Sequence, residues 1–256
     1  MECNVKKIFL LSCVSALCTT SVFANEWTGK GELGFVDVSG NTQSRTLNGA
    51  LTMEKIAEQW KHIAKIAALQ SSSDGDDKSE SYSAGWRSEY SFDERLYGFG
   101  DIRYFEDKFD SFDEIYTVAV GAGYRVILED DIKWNLSAGI GYRDTTLNTV
   151  TEEVRAPITN ILISPRTVTH EDISGATLLL ESDYKHKLSD TTNFENYTRI
   201  EPTRDNTFAQ NVTGLSVSIN SALALKVSYD VRYNTDPAKG SNSTDRITSV
   251  NVVYSF

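Results

Sequence analysis

Cysteine is missing from residue 25 onward, because Cys3, Cys13 and Cys18 all fall in the first 24 residues. A thiol-free remainder excludes disulfides, cysteine metal sites and thiol nucleophiles. Histidine is equally scarce, with His62, His170 and His186 the only imidazoles, which leaves few groups suited to general-base work near neutral pH. After residue 24 no apolar run approaches the ~20 residues of a membrane helix. Glycine and proline are scattered without period. Positive charge is the minor sign: 25 Lys and Arg face 36 Asp and Glu, for a net charge of -11. That balance argues against nucleic acid as a partner.

What is present at the amino terminus is a targeting pattern. Lys6 and Lys7 precede the apolar run Ile8 to Leu17, and Val22-Phe23-Ala24 supplies the small-residue cleavage site. Residues 1–24 are therefore expected to be a cleaved signal peptide, and 25–256 a single exported domain. Cys13 follows Leu10-Leu11-Ser12, a weak echo of a lipoprotein cleavage box that sits too early in the run. If such a chain enters a membrane, it must do so as a closed barrel, because only closure pairs every backbone donor and acceptor in hydrocarbon.

Alternation supports that route. In the last eleven residues Thr248, Val250, Val252, Tyr254 and Phe256 share one parity, and Ile247, Ser249, Asn251, Val253 and Ser255 the other. An alternating strand that ends on phenylalanine resembles the terminal strand of bacterial outer-membrane barrels, which implies recognition of Tyr254 and Phe256 by the barrel-assembly machinery. Trp27, Gly29, Gly31, Leu33 and Phe35 oppose Thr28, Lys30, Glu32 and Gly34. Clean alternation returns over Tyr82 to Phe92, Leu96 to Tyr104, Tyr116 to Tyr124, Ile132 to Tyr142, Ala176 to Lys185 and Leu223 to Tyr233. Met53 to Leu69 also fits a helical stripe, and is read as strand because a helix would interrupt a closed sheet.

The motifs Trp27-Thr28-Gly29-Lys30-Gly31-Glu32-Leu33-Gly34, Ser39-Gly40-Asn41-Thr42, Leu96-Tyr97-Gly98-Phe99-Gly100-Asp101 and Asp107-Lys108-Phe109 resemble the salt-stress-induced outer-membrane proteins of undetermined function. The resemblance covers essentially the whole exported chain and implies an outer-membrane location with a link to salt or osmotic stress. None of the motifs is catalytic.

The reading is an all-β protein: a closed antiparallel transmembrane barrel of about twelve strands, monomeric, in contact with outer-membrane lipid and lipopolysaccharide. Short connections near 57–59, 93–95, 129–131, 189–191 and 220–221 should lie on one rim. Longer ones near 37–42, 71–80, 106–111, 145–172, 202–206 and 234–245 should lie on the other. Ile158 to Ile163 is the expected centre of a hairpin arm outside the membrane.

Inside, parity collects Arg87, Glu89, Asp101, Arg103, Arg125, Arg143, Glu181, Lys226, Asp230 and Arg232. A soluble core could not bury that set. Arg87, Arg103, Arg125 and Arg143 would form a basic stripe facing Glu89, Asp101 and Glu181. The charges either pair and plug the lumen, in a structural envelope role, or line a narrow passive path for small solutes or ions.

The rival class is an outer-membrane hydrolase acting on lipid or lipopolysaccharide, for which no nucleophile motif surrounds the histidines. Asp74-Gly75-Asp76-Asp77 lacks the spacing of a calcium loop. With Asp107, Asp110, Asp113, Glu114, Glu152 and Glu153 it would give an acidic rim able to hold ions that bridge to lipopolysaccharide. No cofactor, metal or catalytic residue is assigned.

Overall fold

The computed structural model describes residues 27–38, 44–73, 76–107, 112–147, 150–155, 162–168, 173–236 and 243–256. The expected signal peptide lies outside them. In chain order the strands are β1 (Thr28–Val38), β2 (Ser44–Ala57), β3 (Trp60–Ser73), β4 (Asp76–Ser91), β5 (Leu96–Asp107), β6 (Phe112–Leu128) and β7 (Ile132–Leu147). They continue as β8 (Val150–Arg155), β9 (Leu162–Val168), β10 (Ile173–Lys187), β11 (Thr192–Pro202), β12 (Thr207–Ser218), β13 (Leu223–Asn234) and β14 (Thr244–Ser255). Twelve of them close into an antiparallel barrel in the order β1-β14-β13-β12-β11-β10-β7-β6-β5-β4-β3-β2, and β8 and β9 form a separate hairpin.

Alternation decides which way each side chain points, and the result inverts a soluble fold. On neighbouring strands Val120 and Ile140 are 60% and 67% exposed on the outer wall, whereas Arg143 is 1% exposed and Thr117 wholly buried within. Large aliphatic groups outside and charged groups inside are stable only when the outer medium is hydrocarbon. Even the 11-residue β1, tilted at ~40° with ~3.3 Å per residue, covers roughly 28 Å. This is a transmembrane β-barrel. Trp60, His62, Trp86, Tyr90 and Phe92 make a contiguous chain of ring contacts beside the short turns, which Trp27 joins through Trp86. Toward the opposite rim the paired rings Tyr104 and Tyr116 lie 4.8 Å apart. Aromatic bodies with polar tips suit both interfaces.

Closure is made by the first and last strands. β14 pairs with β1 from Lys30↔Ser255 to Gly34↔Asn251, and the Gly29 N–H and the Phe256 carbonyl, then the Phe256 N–H and the Gly29 carbonyl, bond at 2.9 and 3.0 Å. Tyr254 and Phe256 stack on the outer wall of this seam. Inside it, Asn48 donates to Asn251 at 2.9 Å, and Asn251 donates to Glu32 at 3.2 Å. Both amides pass over Gly34, where an added Cβ would lie 2.1 Å from each side-chain oxygen.

The short turns sit on one rim as expected. Glu58 takes the left-handed conformation, φ 55°, in a two-residue turn between Ala57 and Trp60, as primed hairpin turns require. Met53–Leu69 is thus two strands joined tightly, and Trp60 and Ile66 point outward. Its helical look comes from small alanines on both parities. In the 92–95 turn the N–H groups of Leu96 and Arg95 donate to Asp93 at 2.7 Å each, and hold its carboxyl below the usual carboxylate range.

The other rim departs from expectation. Residues 71–80 are not a loop: β3 runs to Ser73 and β4 starts at Asp76. β5 and β6 likewise extend to Asp107 and from Phe112. Polar residues continue a strand freely once it leaves the bilayer, so polarity there did not mark a turn. The arm within 145–172 exists, but it is built from Val150–Arg155 and Leu162–Val168, and 158–161 lie outside the described residues. Gly34→Ala should lower unfolding stability by about 1–3 kcal/mol in urea titration of the refolded barrel, whereas Gly31→Ala, whose Cβ would meet nothing within 4 Å, should leave the midpoint unchanged.

Candidate functional site

The lumen is the site, because β-alternation delivers every inward charge to it. At its centre, Arg199 on β11 sends each guanidinium nitrogen to a different carboxylate. Nη2 lies 2.8 Å from Asp101 on β5, Nη1 lies 3.0 Å from Glu181 on β10, and Nε bonds Glu201. Arg87 on β4 pairs with Glu181 at 2.7 Å, with Glu89 at 2.8 Å and more loosely with Asp101 at 3.7 Å. Tyr197 and Ser137 donate to the Glu181 oxygens at 2.6 and 3.0 Å. The planar five-donor fork of arginine suits such sharing, and a lysine could not reproduce it.

Toward the long-loop rim the filling becomes aromatic. Phe105, Ile115 and Phe208 form a buried cluster. The Arg103 guanidinium lies 5.4 and 5.5 Å from the two ring centroids, with Gln210 accepting at 3.0 Å and Glu201 at 3.8 Å. Arg232 on β13 stands over Phe105 at 4.9 Å and reaches Asp107 on β5 at 3.0 Å and Asp230 at 3.2 Å. Arg143 donates to the Glu201 carbonyl at 2.8 Å and to Asn206 at 3.0 Å, while its buried Nε has no partner among the described residues.

Toward the short turns Lys226 bridges Glu32 at 2.9 Å and Glu195. Lys65 on β3 stands 4.9 Å over the Tyr197 ring on β11. Beneath Arg87, 3.8 Å away, Phe99 lies flat on the β6–β7 wall, where a Cβ at Gly121 would come within 2.7 Å of it. Glycine lets that ring lie against the wall.

In the strand order β5 lies opposite β13, and β3 opposite β11. The Arg232–Asp107 and Lys65–Tyr197 contacts therefore run straight across the interior. Of the ten charges chosen by parity, nine take part in these lumen contacts, and Arg125 is spent on the rim, donating to the Glu94 carbonyl and Ser91 at 3.0 Å each. The basic stripe does not form as such. Arg87 meets the three expected acids, whereas Arg103 and Arg143 meet Glu201 and Asn206. Parity places Arg199 and Glu201 inside without revealing that they are the hub, since depth and cross-lumen distance are not encoded in alternation.

Asp107 leaves the expected acidic rim for Arg232. The described residues contain no cluster of His, Cys, Asp or Glu arranged for a metal. Asp74 and Asp110 lie outside the described residues. His62 and His186 point outward, His62 Nδ1 2.9 Å from Ser88 Oγ and His186 Nδ1 3.1 Å from the Tyr184 hydroxyl. His170 lies outside the described residues.

A closed barrel whose bore is crossed by its own paired side chains defines the class. The chain belongs to the family described as "Protein of unknown function, DUF481", whose model matches residues 31–256. It is 26% identical over 232 residues to the "Uncharacterized protein YdiY" of Escherichia coli (strain K12), covering 89% of this chain and 82% of that protein. Among solved structures it is similar to the translocator domain of the autotransporter NalP from Neisseria meningitidis, with 15% identity, 99% and 95% coverage and a TM-score of 0.47. It is also similar to the NanC porin, with 8% identity, 90% and 98% coverage and a TM-score of 0.49.

Arg199→Ala would strand Asp101, Glu181 and Glu201 without their shared cation. Loss of about 3–5 kcal/mol of stability is expected, read as a lowered unfolding midpoint by heat-modified gel mobility, and Arg199→Lys should recover only part of it.

Proposed function

We propose that this chain is a bacterial outer-membrane barrel with a structural envelope role under salt or osmotic stress, its bore closed at rest. Lipid and lipopolysaccharide contact its outer wall, and the Tyr254–Phe256 strand end is the signal read by the barrel-assembly machinery. The observation that carries this reading is the pair of contacts across the full diameter, Arg232–Asp107 and Lys65–Tyr197, with the Arg199 hub between them.

A narrow passive pore for small solutes or ions is the second reading. It is favoured by one feature: among the described residues the closing groups are strand side chains, which can swing aside without moving the backbone. Planar-bilayer recording separates the two. The native barrel should give no sustained conductance steps, and Arg232→Ala combined with Lys65→Ala should produce them; regular steps from the native protein would favour the pore.

The proposed role contains no hydrolysis. Ser88 and His62 lie on strands paired on both sides, so the neighbouring backbone N–H groups are committed to the ladder and cannot line an oxyanion hole. Esterase and phospholipase assays of the purified protein should show the same background for the native chain and Ser88→Ala. A rate lost in that variant would restore the hydrolase.

A further inference from the structure

Midway along β11 and β12 a polar patch breaks the apolar surface of the outer wall. On β11 and β12, Asn196 pairs with Thr213 and Thr198 with Asn211, and all four are half-exposed on the outward parity. They sit midway along their strands, with Phe194↔Leu215 on one side and Ile200↔Ala209 on the other, so the patch lies at the depth of the acyl chains and not at an interface. Elsewhere that depth is held by side chains such as Ile66, Ile102, Val120, Ile140 and Val227. Ser182 of β10 extends the patch beside Thr198.

The four side chains bond to one another. Asn196 donates to Thr213 at 2.8 Å and Asn211 to Thr198 at 2.7 Å. The amide-to-amide contacts are long, 3.3 and 3.4 Å, near the limit of useful geometry. Those amide groups can exchange a weak mutual bond for a better one from outside. Lipid tails offer none, and polar groups in hydrocarbon act as glue between membrane segments.

We propose that this face is the interface between two copies of the barrel. Copies inserted in the same sense share one membrane orientation, so a two-fold axis along the bilayer normal brings each patch against its twin at equal depth. The patch is neutral, and its amides and hydroxyls both donate and accept, so it complements itself. Next to it an apolar groove of about 540 Å³, lined by Ala122, Leu136, Ala138, Leu180, Thr198 and Ile200, gives a recess into which side chains of the twin can pack.

Sedimentation equilibrium in density-matched detergent, with folding verified by heat-modified mobility, tests this. The native barrel should dimerise, and Asn196→Leu with Asn211→Leu should weaken the dimer by about tenfold or more. Thr198→Val with Thr213→Val, nearly isosteric, should weaken it in the same direction and decides the matter if the leucine variant does not fold. Ile66→Ala on the opposite wall should change nothing. A native barrel monomeric at every protein-to-detergent ratio, patch variants that dimerise like the native chain, or a monomer that keeps a co-purified lipid lost with the patch would each overturn the proposal.

Discussion

Every backbone N–H and carbonyl of a membrane-spanning strand must find a partner on a neighbouring strand, because hydrocarbon offers none. The β1–β14 seam meets that demand for the first and last strands, and without it the twelve strands would form an open sheet with β1 and β14 as edges in lipid. Its inner surface is correspondingly tight. The Asn48–Asn251–Glu32 chain crosses Gly34 at a separation that leaves no room for a methyl group, and on the outer wall Phe256 covers Gly29. The terminal phenylalanine therefore acts twice, through its backbone as the last ladder partner and through its ring as cover for the join.

Once the wall is closed, the interior becomes a problem of desolvated charge. Burying Arg143, Arg199 and Glu201 would be prohibitive singly, and the structure answers by sharing. One guanidinium satisfies three carboxylates, and two guanidinium groups converge on Glu181. Aromatic rings do the rest: Phe99, Phe105 and Phe208 fill volume that charges cannot, and present faces to Arg87, Arg103 and Arg232.

The wall was legible in the sequence because alternation has a period of two and each strand is long enough to display it. Val118 and Val120 against Thr117 and Ala119 need no further information. What alternation cannot express is depth: the acidic sequence around Asp107 suggests the rim, yet β5 carries the residue inward to Arg232. It also cannot express partner choice: Arg199 and Asp101 are far apart in the chain and meet only because four strand positions of curvature bring them together. The segments Phe194 to Glu201 and Thr207 to Ile219 alternate weakly, since asparagine and threonine occupy outward positions. The residues that blurred the pattern are the ones that distinguish this wall from the rest.

The two diametric contacts have a mechanical side as well. A thin cylinder of hydrogen-bonded strands flattens easily into an ellipse, because ladder bonds resist stretching far better than bending. Arg232–Asp107 and Lys65–Tyr197 join opposite walls along different chords and at different heights, as tie rods do in a tank. A change in lateral pressure that lengthens either chord must first stretch the contact that spans it.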